Sequence, residues 1–138
     1  MAYVVLSPSA KQAMIAGPGL APLLDGGAAG ARLSFYAGTI PSPGGTPAGG
    51  TPAGALQAEV QLPQPSGTTS GGTWTSASGV EAIRVASDTM TWARLQVDGV
   101  WVMDLDVSVF GGSGAVQLDA VTGYLGGTVT LLAGSIGF

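Results

Sequence analysis

The chain contains no histidine and no cysteine. Those absences remove the imidazole base, the thiolate nucleophile, the Ser-His-Asp triad and every imidazole or thiolate metal site. Disulfide staples are excluded, and cysteine says nothing about redox compartment. Charge is scarce: Lys and Arg number 4 and Asp and Glu 8, together 9% of 138 residues, for a net charge of −4. An ordinary soluble domain carries roughly 25% charged residues. Lys11, Arg32, Arg84 and Arg94 are scattered singly, which leaves no electrostatic footprint for nucleic acid. No apolar run approaches the ~20 residues of a membrane helix. The start, Met-Ala-Tyr-Val-Val-Leu-Ser, lacks the basic and long apolar regions of a secretory signal. No nucleic acid, membrane, metal or cofactor is expected as a partner.

What is present is apolar residue and glycine. Hydrophobic types make up 46% of the chain, and Gly, Thr and Ser interrupt them throughout. The length suits one domain with a real core. A soluble chain with so little charge has a poor surface for life as a free monomer. It suits a subunit largely covered by neighbours.

The strongest local signal is Asp98-Gly99 between two runs rich in β-branched and aromatic residues. That pair predicts a hairpin with a type I′ turn. Regular pairing outward places Val97 opposite Val100, Gln96 opposite Trp101, Arg94 opposite Met103 and Trp92 opposite Leu105. Met90, Trp92, Trp101, Met103, Leu105, Val107 and Val109 then form a core face. The opposite face holds Thr91, Ala93, Asp104, Asp106 and Ser108 near the base. Near the tip it holds Leu95, Val97, Val100 and Val102. These four apolar residues on a nominally wet face are candidate assembly contacts.

Residues 1–30 read as an N-terminal arm, short helix and connector. Tyr3, Val4 and Val5 lie in the arm and are candidate contacts. Ser7 is placed as N-cap and Pro8 as first helical residue, with Gly17-Pro18 as the stop. Leu20 to Leu24 adds a helical turn. Residues 31–138 read as the β-domain. Strands are expected at Arg32–Tyr36, Ala55–Leu62, Gly72–Thr75, Val80–Ser87, Ala115–Leu118 and Gly127–Ala133, besides the hairpin. Along Ala55–Leu62 the alternation puts Leu56, Ala58, Val60 and Leu62 inside and Gln57, Glu59 and Gln61 outside. Ser66 to Gly72 is read as loop. The segment 39–54 repeats Gly-Gly-Thr-Pro-Ala in tandem, which fits neither helix nor central strand. Its Thr46, Pro47, Thr51 and Pro52 are candidate contacts if the loop lies on a neighbouring subunit. The pattern predicts an all-β fold, an antiparallel, jelly-roll-like β-sandwich with a short N-terminal helix.

Residues suited to catalysis are few. Asp104, Asp106 and Ser108 share one side of a strand but supply too few oxygens for Ca²⁺. Glu59 with Glu81 or Asp88 has the chemistry of a glycosidase pair without a pocket signature. Gly111 to Gly114 lacks the Lys and the helix of a phosphate loop. Trp74, between Thr73 and Thr75, is the candidate exposed aromatic and could stack on a sugar ring. The chain is not expected to be an enzyme.

Three stretches carry a resemblance: Ala31-Arg32-Leu33-Ser34-Phe35-Tyr36-Ala37-Gly38-Thr39-Ile40-Pro41, then Leu56-Gln57-Ala58-Glu59-Val60, then Thr91-Trp92-Ala93-Arg94-Leu95 with Asp98-Gly99 and Val102-Met103-Asp104. The third continues through Gly112, Gly114, Leu118 and Gly127-Thr128-Val129 to Phe138. In order and spacing they resemble a family of small Gly/Ala/Thr-rich virion structural proteins of tailed bacteriophages. The chain departs from the family pattern at Trp101, at Leu105 and in its longer 39–54 loop. The resemblance implies a protein of the virion, assembled in the host cytoplasm. A capsid decoration or cement subunit is the first expectation, contacting itself as a homo-oligomer (a trimer would fit) and the major capsid protein. A tail or baseplate component is the alternative, and a surface receptor- or glycan-binding domain the third.

Overall fold

Asp98 and Gly99 take positive φ, 50° and 79°. They close the hairpin between β7 (Trp92–Val97) and β8 (Val100–Val109), as the type I′ expectation requires. The computed structural model describes residues 4–15, 19–28, 30–40, 52 and 54–137. Beside the turn the register is the expected one, with Val97 opposite Val100 and Gln96 opposite Trp101. One step further it shifts. Val102 is an extra residue on β8, so Leu95 faces Met103, Arg94 faces Asp104, Ala93 faces Leu105 and Trp92 faces Asp106.

A one-residue bulge exchanges the faces of everything beyond it on the bulged strand. The expected core face is corrected accordingly. Met103 and Leu105 join Leu95 and Ala93, while Trp92 and Trp101 share the other face with Arg94, Asp104 and Asp106. Leu95 and Val102, expected at an exposed tip, are buried.

The apolar side of the hairpin continues across two more strands. β2 (Ala31–Tyr36) sets Leu33 opposite Leu95 and Phe35 opposite Ala93. β3 (Leu56–Gln61) sets Val60 opposite Leu33 and Ala58 opposite Phe35. All of these side chains are buried. Short alternating strands rich in Val, Leu and Phe give this layer because every second side chain faces one way.

The other edge of β8 has two partners in tandem. β1 (Val4–Leu6) pairs antiparallel with Met103–Leu105. β9 (Val116–Leu118) pairs parallel with Val107–Val109. Parallel neighbours ordinarily need a crossover of a dozen or more residues, yet here only 110–115 intervene. Side chains stitch this short loop down. Ser108 Oγ accepts the Gly114 N–H at 3.0 Å and Asp106 Oδ1 accepts the Ala115 N–H at 2.8 Å. Gln117 Oε1 accepts the Gly111 N–H, and its Nε2 donates to the Gly112 carbonyl.

β10 (Thr128–Gly137) pairs with β9, with β6 (Val80–Ile83) and with β5 (Thr73–Ser76). β4 (Gly67–Ser70) pairs with β5 across Gly71-Gly72. The stretch expected as loop at 66–72 is therefore mostly the first arm of a hairpin. Its polar Gly-Thr-Thr-Ser sequence hides the strand, because neither face is apolar.

Among the described residues the result is a 10-stranded mixed sheet. The all-β expectation holds. In place of two facing antiparallel layers, a single strand path with a parallel β8/β9 pair curls into a half-barrel. Its margins meet where the Val85 N–H donates to the Gln57 carbonyl at 2.8 Å. Gln57, expected to point outward, is buried at this seam. Its Oε1 accepts the Asp88 N–H and its Nε2 donates to the Ala55 carbonyl.

At the N-terminus Ser7 Oγ accepts the Ala10 N–H at 3.1 Å and caps α1 (Pro8–Ile15), as expected. α2 (Leu20–Asp25) follows. Ala10, Leu20 and Leu24 are buried in the same core as the sheet. The Gly17-Pro18 stop and both Gly-Gly-Thr-Pro-Ala repeats, apart from Pro52, lie outside the described residues.

The register shift also makes an ion pair. Arg94 Nε meets Asp104 Oδ1 at 2.8 Å and Arg94 Nη2 meets Asp104 Oδ2 at 3.0 Å, with both side chains buried. Removing one partner of such a pair leaves an uncompensated buried charge, which costs about 3–5 kcal/mol. Asp104→Ala should therefore lose stability on that scale in urea unfolding. The double change Arg94→Met with Asp104→Leu should lose clearly less than the two single changes added together. Additive losses would show that the two residues act independently.

Candidate functional site

Among the described residues the exposed large apolar side chains gather at the hairpin tip (Val100), at and just past the end of β8 (Val109 and Phe110) and at the base (Ile83, Val85, Tyr124 and Leu125). At the tip, Val100 is 62% exposed. With Gln96, Gly99, Trp101 and the α1 start at Ser7, Pro8 and Ser9 it lines a groove of about 310 Å³. The Arg94–Asp104 pair lies behind this groove. The Arg94 guanidinium sits over the Trp92 ring at 5.4 Å and over the Trp101 ring at 5.9 Å. Tyr36 stacks on Trp92 with ring centroids 4.7 Å apart. The tip therefore stands on a stack of aromatic rings around one bidentate ion pair. Planar groups held this way lose little further entropy on contact with a partner.

At the base, Tyr124 is 85% and Leu125 67% exposed. These residues sit on a turn tied down on both sides. The Gly127 N–H donates to the Tyr124 carbonyl, the Gly126 N–H to the Arg84 carbonyl and the Arg84 N–H to the Gly127 carbonyl. The Leu125 N–H donates to Ser87 Oγ at 2.9 Å. Gly126 supplies the positive φ that the turn needs. Beneath it Arg84 is buried, its Nη2 donating to the Asp88 carbonyl at 2.6 Å. Among the described residues, its Nε and Nη1 have no hydrogen-bond partner. Gly123 makes room for this guanidinium: a Cβ there would lie 3.1 Å from Arg84 Cδ. Ile83 and Val85 are exposed beside the turn, on the outward side of β6 and its continuation.

The candidate residues divide accordingly. Val100 is exposed and Val97 half-buried. Leu95 and Val102 are buried, because the bulge turns the tip's apolar side into the core. Val4 is half-buried and Val5 buried, both paired to β8 within this chain. The N-terminal segment is thus a strand of its own sheet over these two residues, not a free arm. Pro52 is half-buried, and Tyr3, Thr46, Pro47 and Thr51 lie outside the described residues. Trp74, the expected exposed aromatic, is only 4% exposed and belongs to the core. Its neighbours Thr73 and Thr75 face outward while the indole faces in, as alternation along a strand allows. With Trp74 buried, the residue that carried the sugar-stacking expectation is removed.

The acidic row is accounted for by structure as well. Asp104 pairs with Arg94, and Asp106 and Ser108 hold the 110–115 loop. Glu59 lies 3.6 Å from Arg32 at the surface. Among the described residues no group of three or more His, Cys, Asp or Glu could hold a metal ion. No helix of the described residues is long and apolar enough to cross a membrane.

The base surface was not anticipated. Its signal was the pair Tyr124-Leu125 directly before Gly126-Gly127: two large apolar residues placed on a turn rather than in a strand. Ile83 and Val85 share one face by alternation and both are exposed, but periodicity does not say which face is wet. Comparison with protein-family models, curated proteins and solved structures finds no match.

Burial pushes the Tyr36 phenol above its ordinary pKa. The Arg94 guanidinium opposes that rise, and the Glu59 and Asp104 carboxylates add to it. The native state then keeps this proton after the unfolded chain, titrating near pH ~10, has lost it. Tyr36 contributes full stability below that pH, and the contribution is lost as pH rises through the higher folded value. Absorbance titration at alkaline pH should resolve a late-ionising phenol that disappears in Tyr36→Phe. The alkaline fall in unfolding free energy should be shallower in that variant. An unchanged titration curve in Tyr36→Phe would contradict the assignment.

Proposed function

We propose that this chain is a structural protein of a phage virion. In this reading it is a capsid decoration or cement subunit that stabilises the head by repeated non-covalent contacts with itself and with the major capsid protein. The observation that carries the reading is the Tyr124–Leu125 turn. Two large apolar side chains are exposed on a backbone that is hydrogen-bonded on both sides. Exposed apolar groups on a pre-ordered scaffold favour association, because the ordering is already done when the partner arrives.

Two further points support the reading. The surface is poor in charge, so a neighbour can cover it with little desolvation of ions. The order and spacing of the stretches around Leu33, Leu56 and Trp92 resemble a virion family. The mechanism is burial of apolar surface. Each contact is weak, and repetition over a shell makes the whole strong. No cofactor is required.

The test is quantitative mass spectrometry of heads and tails separated from purified particles. Hundreds of copies on heads are expected. A few copies confined to tails would replace this reading with a tail or baseplate component. Absence from both would remove the virion assignment.

A further inference from the structure

The base and tip surfaces differ in shape and in chemistry. The base presents a knob, Tyr124 and Leu125, flanked by Ile83 and Val85. The tip presents a groove whose walls are Val100 and Trp101 and whose polar groups include the Gln96 amide and the Ser9 hydroxyl. A groove of about 310 Å³ is at the lower end of the roughly 300–1,000 Å³ range of ligand clefts, ample for one phenol ring. Tyr joins an apolar body to a hydroxyl that seeks a hydrogen bond. A half-buried amide between apolar walls matches that pair of needs.

The surfaces also lie at opposite ends of the molecule. The Met90 N–H donates to the Val121 carbonyl at the start of β7, close in sequence to the knob. The groove lies past the far end of β7, at Gly99. Six strand residues at ~3.3 Å each separate the two ends by about 20 Å. A knob at one end and a groove at the other define a head-to-tail contact, which closes into a ring or runs on as a chain.

We propose that the Tyr124–Leu125 knob of one copy of this chain seats in the Gln96/Val100/Trp101 groove of a second copy. Charge agrees with that pairing. Lys11 is exposed on α1, one turn beyond the groove residues Ser7 and Ser9. Glu81 and Asp88 are exposed on either side of Ile83 and Val85. Among the described residues none of these three is in an ion pair. Docking brings the cation of the groove end toward the carboxylates of the knob end. Asp98, the exposed acid of the tip, accepts the Ala28 N–H and keeps its own charge, so the complementarity is that of Lys11 with the two carboxylates.

Area decides what such a contact can do. The four apolar side chains of the base expose on the order of 500 Å². A stable pair buries about 800 Å² on each partner. One contact therefore makes a weak dimer. In a closed ring every subunit makes the contact twice, once with each end, and closure supplies the missing stability. The inference rests on the assembly reading above and names its self-contact.

Sedimentation velocity on the full chain tests it. The wild type should associate as its concentration rises, beyond the dimer. A knob variant, Tyr124→Ser with Leu125→Ser, and a groove variant, Val100→Arg, should each associate at least about tenfold more weakly. All these residues are exposed, and unchanged thermal unfolding would confirm that both variants fold. An equimolar mixture of the two variants retains one intact knob and one intact groove. It should form heterodimers and nothing larger. A wild type monomeric up to about 1 mM would overturn the proposal. So would a knob variant that associates like the wild type, or a mixture that stays monomeric. The virion reading fails separately: self-association by a chain absent from particles leaves this contact standing, and monomers bound to heads leave that reading standing.

Discussion

Arg94 and Asp104 meet because Val102 is an extra residue on β8. Without that bulge, the regular pairing would put Asp104 opposite Ala93 and Arg94 opposite Met103. The core layer would then carry a charge, and the facing layer would lose its centre. With it, one strand pair sorts cleanly. Leu95, Ala93, Met103 and Leu105 face the half-barrel interior. Trp92, Arg94, Asp104 and Trp101 face the other way. The geometry explains why a buried charge pair is tolerated in so apolar a chain. Its four polar atoms pair in a fork, and two indole rings cover the guanidinium. The stack then serves as the floor on which the hairpin tip stands.

Charge economy runs through the rest of the molecule. Of the four basic residues, Arg94 and Arg32 are paired with acids and Arg84 is buried beneath a turn. Lys11 alone is exposed and outside an ion pair among the described residues. Where backbone N–H groups meet side chains, neutral acceptors (Ser7 at the helix start, Ser87 under Leu125, Ser108 and Gln117 around the 110–115 loop, Gln57 at the seam) share the task with the carboxylates of Asp25, Asp98, Asp106 and Asp119. A surface so poor in charge is suited to being covered, and the exposed apolar turn at 124–125 is its clearest expression.

The expectations that survived are those decided within a few residues. Asp98-Gly99 made its type I′ turn because both positions accept positive φ. Ser7-Pro8 began a helix because a hydroxyl can cap it and a proline loses nothing at the first position. Ala58, Val60 and Leu62 faced inward as strict alternation demanded. Those that failed depend on a partner. Gln57 looks like an outward residue until the chain just past β6 arrives at the seam, where the Val85 and Asp88 N–H groups need its main-chain and side-chain carbonyls. Trp74 looks free beside two threonines until β10 and the core cover it. Thr68 and Thr69 read as loop because a strand with no apolar face leaves no periodic mark.

The chain by itself thus determined the all-β class, the hairpin, the capped helix, the absence of imidazole and thiol chemistry, and the scarcity of charge. Each follows from local backbone preference or from a count. Only the tertiary structure decided the faces, the partners and the surfaces. Placing one extra residue opposite Leu95 and Gln96 reassigns Met103, Asp104, Leu105 and Asp106 at once. Whether Ile83, Val85, Tyr124 and Leu125 end inside or outside depends on how the sheet curls. Side-chain alternation has a period of two in either case, and a period does not carry a sign.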